Sequence, residues 1–104
     1  MEKRGPSPRY TFRCEVDVYQ NGDTAPLHGV MSDISLSGCY IETITPEPTG
    51  THLHVAFSAQ GKQYRVSGIV RVVHPTMGMG IQFAEVPPGV QQQLEFLINA
   101  QAGS

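Results

Sequence analysis

Short runs in which apolar and polar residues alternate are the feature of this sequence that most constrains its fold. In the first run the even-numbered residues from Phe12 to Val18 are apolar, and the residues between them are charged. A period of two is typical of a strand with one buried face. Residues 21–23, Asn-Gly-Asp, end this run with a strong turn signal. Further strand-like runs cover residues 27–32, 39–44, 53–57, 64–73 and 79–83.

Six strands of this kind within about 75 residues predict an all-β fold. We expect a closed or nearly closed antiparallel barrel, because closure leaves no unpaired strand edge. Near the C-terminus the spacing of the apolar residues changes from a period of two to that of a helix. Val90, Leu94, Leu97 and Ile98 have helical spacing, and Pro88 suits a first helical turn. A helix of about ten residues is marginal alone, so it is expected to pack on the barrel.

The length and the charge of the chain limit what it can bind. Its 104 residues suffice for one domain, which we place at residues 10–98, between a flexible basic arm at 1–9 and a tail at 99–104. The net charge of -2 argues against the broad basic face that DNA or RNA requires. Lys3, Arg4, Arg9 and Arg13 nevertheless make up more than half of the seven Lys and Arg, so the N-terminal region can meet a small anion.

Membrane, metal and catalytic sites are not expected. The sequence lacks an apolar run of about 18 residues and the apolar centre of a signal peptide, so we expect a cytoplasmic protein without membrane insertion. Cys14 and Cys39 lack metal-type spacing and are expected to be reduced, buried side chains. His52 and His54 share a strand face but have no evident third ligand. No set of nucleophile, base and oxyanion donor can be assembled, so we do not expect an enzyme.

The segment Asp33-Ile34-Ser35-Leu36-Ser37-Gly38 concentrates polar groups between two predicted strands. Asp and Ser side chains can bond nearby backbone groups there, and the glycine can take a positive φ, so bracing a turn is one interpretation. The same groups can hold a small polar ligand, because they combine carboxylate acceptors with hydroxyl donors. The two roles are compatible with each other.

Three segments together resemble the PilZ domain family. They are the segment at 33–38, the Pro8-Arg9 pair before the first strand, and Gly78-Met79-Gly80-Ile81-Gln82-Phe83. The resemblance covers about residues 3–98. It implies a six-stranded antiparallel barrel of the split-barrel type with a short C-terminal α-helix. It also implies that the ligand is the bacterial second messenger cyclic di-GMP, with no cofactor and no metal.

The ligand signature of that family has two parts, an Arg-x-x-x-Arg arm and an Asp/Asn-x-Ser-x-x-Gly turn. The resemblance assigns the turn to Asp33, Ser35 and Gly38. The arm matches less directly, because Arg4 and Arg9 are one residue too far apart. We favour this pair as ligand-binding residues, since a bulge in the Gly- and Pro-rich arm can absorb one residue. The literal spacing occurs at Arg9 and Arg13, an alternative that would place the second arginine inside the first strand.

The chemistry of cyclic di-GMP explains why such residues would suit it. An arginine fork can donate two hydrogen bonds to a phosphate or to O6 and N7 of guanine, and its plane can stack on a base. The carboxylate of Asp33 can accept from N1 and N2 of guanine, Ser35 can add a hydroxyl contact, and Gly38 allows close approach.

Two functions follow from the sequence. The first is a non-enzymatic PilZ receptor or adaptor module, a monomer or weak dimer that binds cyclic di-GMP and signals through arm ordering and a protein partner. The alternative is a degenerate PilZ-like adaptor that binds a protein and not the nucleotide. The wide spacing of the arginines favours the alternative.

Overall fold

The alternating runs close into a six-stranded antiparallel barrel in the computed structural model, which describes residues 8–20 and 25–102. The elements are β1 (Tyr10–Gln20), β2 (Leu27–Ile34), β3 (Gly38–Glu42), β4 (His52–Ala59), β5 (Lys62–His74), β6 (Gly78–Phe83) and α1 (Pro88–Ala102). The strands follow one another around the barrel in the order β1-β2-β3-β6-β5-β4, and β4 pairs with β1 to complete it. The predicted fold class is therefore confirmed.

The barrel interior holds the apolar residues of each run, as a period of two requires. Met31, Ile34, Ile41, Val55 and Val70 are among the side chains with no exposed surface. Burying a side chain of this size stabilises the folded state by about 1.5–3 kcal/mol.

Three aromatic rings extend this core between β1, β4 and β5. The ring of Phe57 stacks on Tyr64 with centroids 4.8 Å apart, and it meets Phe12 edge-on at 6.5 Å. Pairs of this kind add about 0.5–1.5 kcal/mol beyond their buried area.

Helix α1 packs against the barrel through its apolar stripe. Leu94 and Leu97 are fully buried, and the hydroxyl of Tyr64 donates a 3.3 Å hydrogen bond to the carbonyl of Gln93. The helix continues past residue 98 to Ala102, into the segment that was expected to be a tail from residue 99. The reason is local: residues 99–102 contain neither proline nor glycine, so nothing there breaks the helix.

The strand boundaries around the segment 33–38 also differ from the prediction. Strand β2 runs two residues further than expected, to Ile34, and β3 begins at Gly38 and ends at Glu42. The turn itself is therefore reduced to residues 35–37. The turn predicted at 21–23 lies outside the described residues.

Within the part of the chain that the structure describes, no helix is long and apolar enough to cross a membrane. The same residues contain no group of three or more His, Cys, Asp or Glu side chains placed to hold a metal ion.

Candidate functional site

A register shift in β2 turns the side chain of Asp33 outward. In a regular strand Asp33 would share the inner face with Met31, two residues earlier. Met31 pairs with Ile41, and Asp33 pairs with Tyr40, so the ladder advances two residues along β2 but one along β3. Ser32 is the extra residue of a β-bulge, and the bulge puts Asp33 on the outer face of the barrel.

Arg9 and Asp33 form an ion pair at this point. Arg9 leads directly into β1, and Thr11 of β1 pairs with Asp33 across the sheet. Nη1 of Arg9 donates to Oδ1 of Asp33 at 2.6 Å. The side chains are 52% and 30% exposed, so the pair adds little stability and is open to a ligand. The structure thus joins two residues that the sequence assigned to one site, and their contact with a ligand stays a prediction.

Ser35 is buried at the centre of the turn, with 1% of its surface exposed. Its Oγ accepts hydrogen bonds from the backbone N–H groups of Ser37 and Gly38, each at 3.1 Å. The backbone N–H of Ser35 also donates to the carbonyl of Gly38 at 2.8 Å. The bracing role of Ser35 is therefore directly visible, whereas its expected contact with a ligand stays a prediction. The exposed residue of this turn is Ser37, and its Oγ lies 3.2 Å from Oγ of Ser35.

Gly38 allows two strands to approach closely. A Cβ at this position would lie 2.1 Å from the carbonyl oxygen of Ile81 in β6, a distance that real Cβ atoms do not reach. The described glycines with positive φ are Gly50 and Gly61, so the role of Gly38 is steric and not the left-handed backbone considered for the turn. Any side chain at residue 38 would push the turn away from β6.

A groove of about 230 Å³ lies beside the ion pair on the outer face of β5 and β6. Its lining includes Arg9, Ser37, Arg71, Gly80 and Gln82. Nε of Arg71 donates to Oε1 of Gln82 at 2.6 Å, which holds the guanidinium against the wall. The groove therefore carries two arginines and two neutral hydrogen-bonding side chains.

Arg71 is a site residue that was not expected from the sequence, because a bulge in β5 places it at the groove. Val70 pairs with Ile81 and Val72 with Gly80, so Arg71 is an extra residue in β5 and its side chain is exposed. A signal was present: the inward apolar positions change from even numbers to odd between Val70 and Val73. Such a phase change within one run is typical of a bulge.

Arg13, the less favoured arginine, is engaged elsewhere. Its Nη1 and Nη2 donate to the two carboxylate oxygens of Glu42 at 3.2 and 3.1 Å. These hydrogen bonds and the opposite charges raise the pKa of Arg13 and lower the pKa of Glu42. The structure therefore does not place Arg13 with Asp33. Arg4, the other arginine of the favoured pair, lies outside the described residues.

The two cysteines are free thiols of low reactivity. Burial raises the pKa of Cys14 to about 11, and burial with the nearby charge of Asp33 raises that of Cys39 well above its usual range. Both side chains are therefore protonated near neutral pH, which is unfavourable for nucleophilic chemistry.

Comparison with known proteins identifies the family. The family model described as PilZ domain matches residues 3–100. No protein of curated function matches the chain at the level of sequence.

Solved structures share the fold at low identity. The PilZ domain of CeSA from a cellulose-synthesizing bacterium superimposes with a TM-score of 0.75 at 16% identity, over 90% of this chain and 97% of that one. The PilZ domain of YcgR from Escherichia coli, solved with c-di-GMP, gives 0.78 at 16% identity, over 96% and 92%. The Bacillus subtilis inhibitor of motility MotI (DgrA) also gives 0.78 at 16% identity, and the match covers 99% of this chain and 54% of that protein.

Proposed function

The chain belongs to the PilZ domain family, and from this premise and the geometry of the site we propose that it is a non-enzymatic receptor for cyclic di-GMP. The observation that carries the proposal is the exposed Arg9–Asp33 ion pair at the edge of a groove that also holds Arg71. The choice of ligand is supported by YcgR, a PilZ domain whose structure was solved with c-di-GMP.

The groups around the groove are complementary to this nucleotide. Arg9 and Arg71 supply positive charge for its phosphates and flat guanidinium surfaces on which guanine can stack. Asp33 accepts from the N1 and N2 donors of a guanine, and the hydroxyl of Ser37 and the amide of Gln82, both of which line the groove, add neutral partners. In this proposal Arg71, Ser37 and Gln82 join the residues assigned from the sequence.

The other assigned residues have supporting roles. Ser35 and Gly38 hold the turn in the shape that presents Asp33. Arg4 assists from the arm, and Arg13 contributes less than Arg9 because both of its terminal nitrogens already donate to the carboxylate of Glu42.

Binding replaces the Arg9–Asp33 ion pair with contacts to the nucleotide. An exposed pair of this kind is worth about 0–1 kcal/mol, so its loss is a small cost. Ordering the arm costs more, about 1–2 kcal/mol per residue, and must be offset by arginine contacts to phosphate and base. An arm that becomes ordered on binding changes the surface that a partner meets. We place this signal in the bacterial cytoplasm, transmitted by a monomer or weak dimer to a protein partner.

Titration calorimetry with cyclic di-GMP tests the proposal. We expect saturable binding with a dissociation constant of about 1 μM or lower. Amide chemical shifts of Arg9 to Arg13 should move during the same titration, and the nucleotide should be recovered uncleaved. Asp33→Ala should weaken binding by about tenfold or more, because a buried guanine edge loses its acceptor.

Glu42→Ala is the matched control, since it also removes an arginine-paired carboxylate from the outer face. It should leave the affinity within about twofold of the native chain. Absence of heat and of shift changes at millimolar nucleotide would refute the proposal.

The alternative, an adaptor that does not bind the nucleotide, rests on the arginine spacing. One deletion variant distinguishes it from the receptor proposal. Removing Pro6 restores three residues between Arg4 and Arg9. If the native chain does not bind and the deletion variant does, the alternative is supported. Tight binding by the native chain removes its basis.

A further inference from the structure

Two glycines lie two residues apart on the outer face of β6, and their surroundings differ. Gly78 and Gly80 point away from the core, because Met79 and Ile81 take the inward positions of this strand. The ring of Tyr40 lies above Gly78, with Cε2 and Oη 2.7 and 2.8 Å from the place that a Cβ of residue 78 would take. Gly78 is therefore required, because any side chain there would displace this ring.

The space above Gly80 is open within the described part of the chain. The nearest atoms to a Cβ placed there would be Cβ of Val72 at 3.5 Å and Cδ1 of Tyr40 at 3.9 Å, which is ordinary van der Waals contact. The described glycines with positive φ are Gly50 and Gly61. Neither packing nor backbone conformation therefore requires a glycine at residue 80.

Gly80 differs in this respect from the other glycines of the described strands. A Cβ at any of those four positions would come within 2.8 Å of another atom; they are Gly29, Gly38, Gly68 and Gly78. A glycine inside a strand weakens it and often marks a place where a ligand or another backbone approaches closely. The described neighbours above Gly80 are side chains and not backbone, so a ligand is the reason that remains.

The open space, which we call the notch, joins the groove of the candidate site. Gly80 pairs with Tyr40 of β3 on one side and with Val72 of β5 on the other, so the three residues form one row across the sheet. Gly80 and Val72 also line the groove that holds Arg9 and Arg71. The notch is therefore an apolar extension of a groove that carries two positive charges.

The shape of the notch suits a flat ring. A ligand atom at the Cβ position would lie 3.5 Å from Val72 and 3.9 Å from Tyr40. Carbon atoms attract each other best at about this separation, about 3.5–4.0 Å. The ring of Tyr40 over Gly78 shows that an aromatic ring can rest on a glycine of this face. A purine has the same flat, weakly polar surface.

The wall formed by Tyr40 is already fixed in position. Its hydroxyl lies 2.8 Å from Nδ1 of His74, and the two ring centres are 5.8 Å apart. A wall that is held before the ligand arrives loses little conformational freedom on binding, so more of the contact energy appears as affinity.

We propose that one guanine of cyclic di-GMP binds in the notch, over Gly80 and between Tyr40 and Val72. This inference rests on the proposed receptor function and adds to it a residue whose role is clearance. A base in the notch brings the phosphates next to it toward Arg71 and Arg9, which can pair with them. The second guanine of the nucleotide remains available to Asp33.

Substitutions that fill the notch test the proposal by calorimetry with cyclic di-GMP. Gly80→Ala should weaken binding by about fivefold and Gly80→Val by about twentyfold, because the new side chain occupies the place of the base. The denaturant midpoint of both variants should stay the same or rise, since a strand gains a side chain that meets no close neighbour.

Ala56→Val is the matched control. It enlarges a side chain on the outer face of β4, between neighbours on β1 and β5, and residue 56 does not line the groove. The affinity of this variant should stay within about twofold of the native chain, because the added methyl groups are remote from the ligand.

A second measurement does not depend on a variant. In methyl spectra of the native chain, the resonances of Val72 should move upfield as cyclic di-GMP saturates the protein, because a purine ring in contact shields these methyl groups. Unchanged Val72 resonances at saturation would overturn the proposal even if Gly80→Val had lost both stability and affinity.

The outcomes separate this inference from the function on which it rests. Native affinity in Gly80→Val would show that no base enters the notch, and the receptor function would stand. Failure of the native chain to bind cyclic di-GMP would remove both. Equal losses in Gly80→Val and Ala56→Val would assign the effect to the barrel as a whole and would also overturn the proposal.

Discussion

Two arginine–carboxylate pairs bridge strands on the outer face of the barrel, and they differ in what they leave available. Arg13 and Glu42 share two hydrogen bonds, so the donors of the arginine fork that face the carboxylate are occupied. Arg9 and Asp33 share one, at 2.6 Å, beside a groove that contains a further arginine. Residue types are nearly the same in both pairs, so the difference lies in geometry and neighbours. A pair that shares one hydrogen bond beside a groove can exchange that bond for contacts with a ligand, whereas a bidentate pair is better suited to holding strands together.

Removing each arginine gives the largest expected contrast. Arg9→Ala should weaken cyclic di-GMP binding by at least about tenfold, because a charge-assisted hydrogen bond to the ligand is lost. Arg13→Ala should change the affinity by less than about twofold, since its guanidinium is already held by Glu42. Calorimetry on both variants decides the matter. A larger loss from Arg13→Ala would show that the literal Arg9–Arg13 spacing is the functional one.

A methyl group added at residue 38, the first residue of β3, tests the close approach of β3 to β6. Gly38→Ala should destabilise the fold by about 1–3 kcal/mol, because the new Cβ would overlap the carbonyl of Ile81. Denaturant unfolding measures this loss. Gly89→Ala is a suitable control, as a Cβ there meets no atom within 4 Å and should leave the fold as stable or more so. An unchanged midpoint for Gly38→Ala would disprove the steric role.

Neutralising the groove tests whether Arg9 acts with a second cation. Arg71→Gln removes the charge next to Gln82 and should weaken nucleotide binding by about fivefold. Arg65→Gln removes a charge from an earlier part of the same strand, β5, where the guanidinium lies over Tyr19 and does not line the groove, and should have no such effect. Competitive displacement of a fluorescent cyclic di-GMP analogue would report both affinities. Equal affinities for the two variants would remove Arg71 from the site.

Acid should weaken the bidentate pair by a small amount. The pKa of Glu42 is lower in the folded chain than its ordinary value of 4.5, chiefly because Arg13 donates hydrogen bonds to the carboxylate. A lowered folded pKa means that the stabilisation is present above 4.5 and is lost as the pH falls through the folded value. Thermal unfolding from about pH 6 to about pH 3 should therefore show a slightly smaller acid loss for Arg13→Ala than for the native chain. Identical pH profiles for the native chain and Arg13→Ala would show that Arg13 does not lower the pKa of Glu42.

Much of the fold was predictable because period-two alternation persists through most strands. The even-numbered residues of β1 and the alternate residues of β4 reach the core as the pattern indicated. The helix was predictable from the spacing of Val90, Leu94 and Leu97. Its end was not, because helix termination depends on weak local preferences.

The candidate site was predictable in part. The resemblance assigned Asp33 and Arg9 to one site, and the structure places the two side chains in contact, while their role in ligand binding stays a prediction. The burial of Ser35 and the position of Arg71 at the groove could not be predicted from the alternation of apolar and polar residues, because both depend on the pairing register of neighbouring strands.

The sequence by itself determined the strands, the composition of the core and the polar character of the segment at 33–38, because these follow from local spacing and residue chemistry. Only the tertiary structure decided which polar side chains meet. A bulge at Ser32 turns Asp33 outward toward Arg9, and a bulge in β5 brings Arg71 to the same groove. The physical reason is that one extra residue in a strand moves the following side chains to the opposite face, and the cost of that shift is set by pairing with other strands.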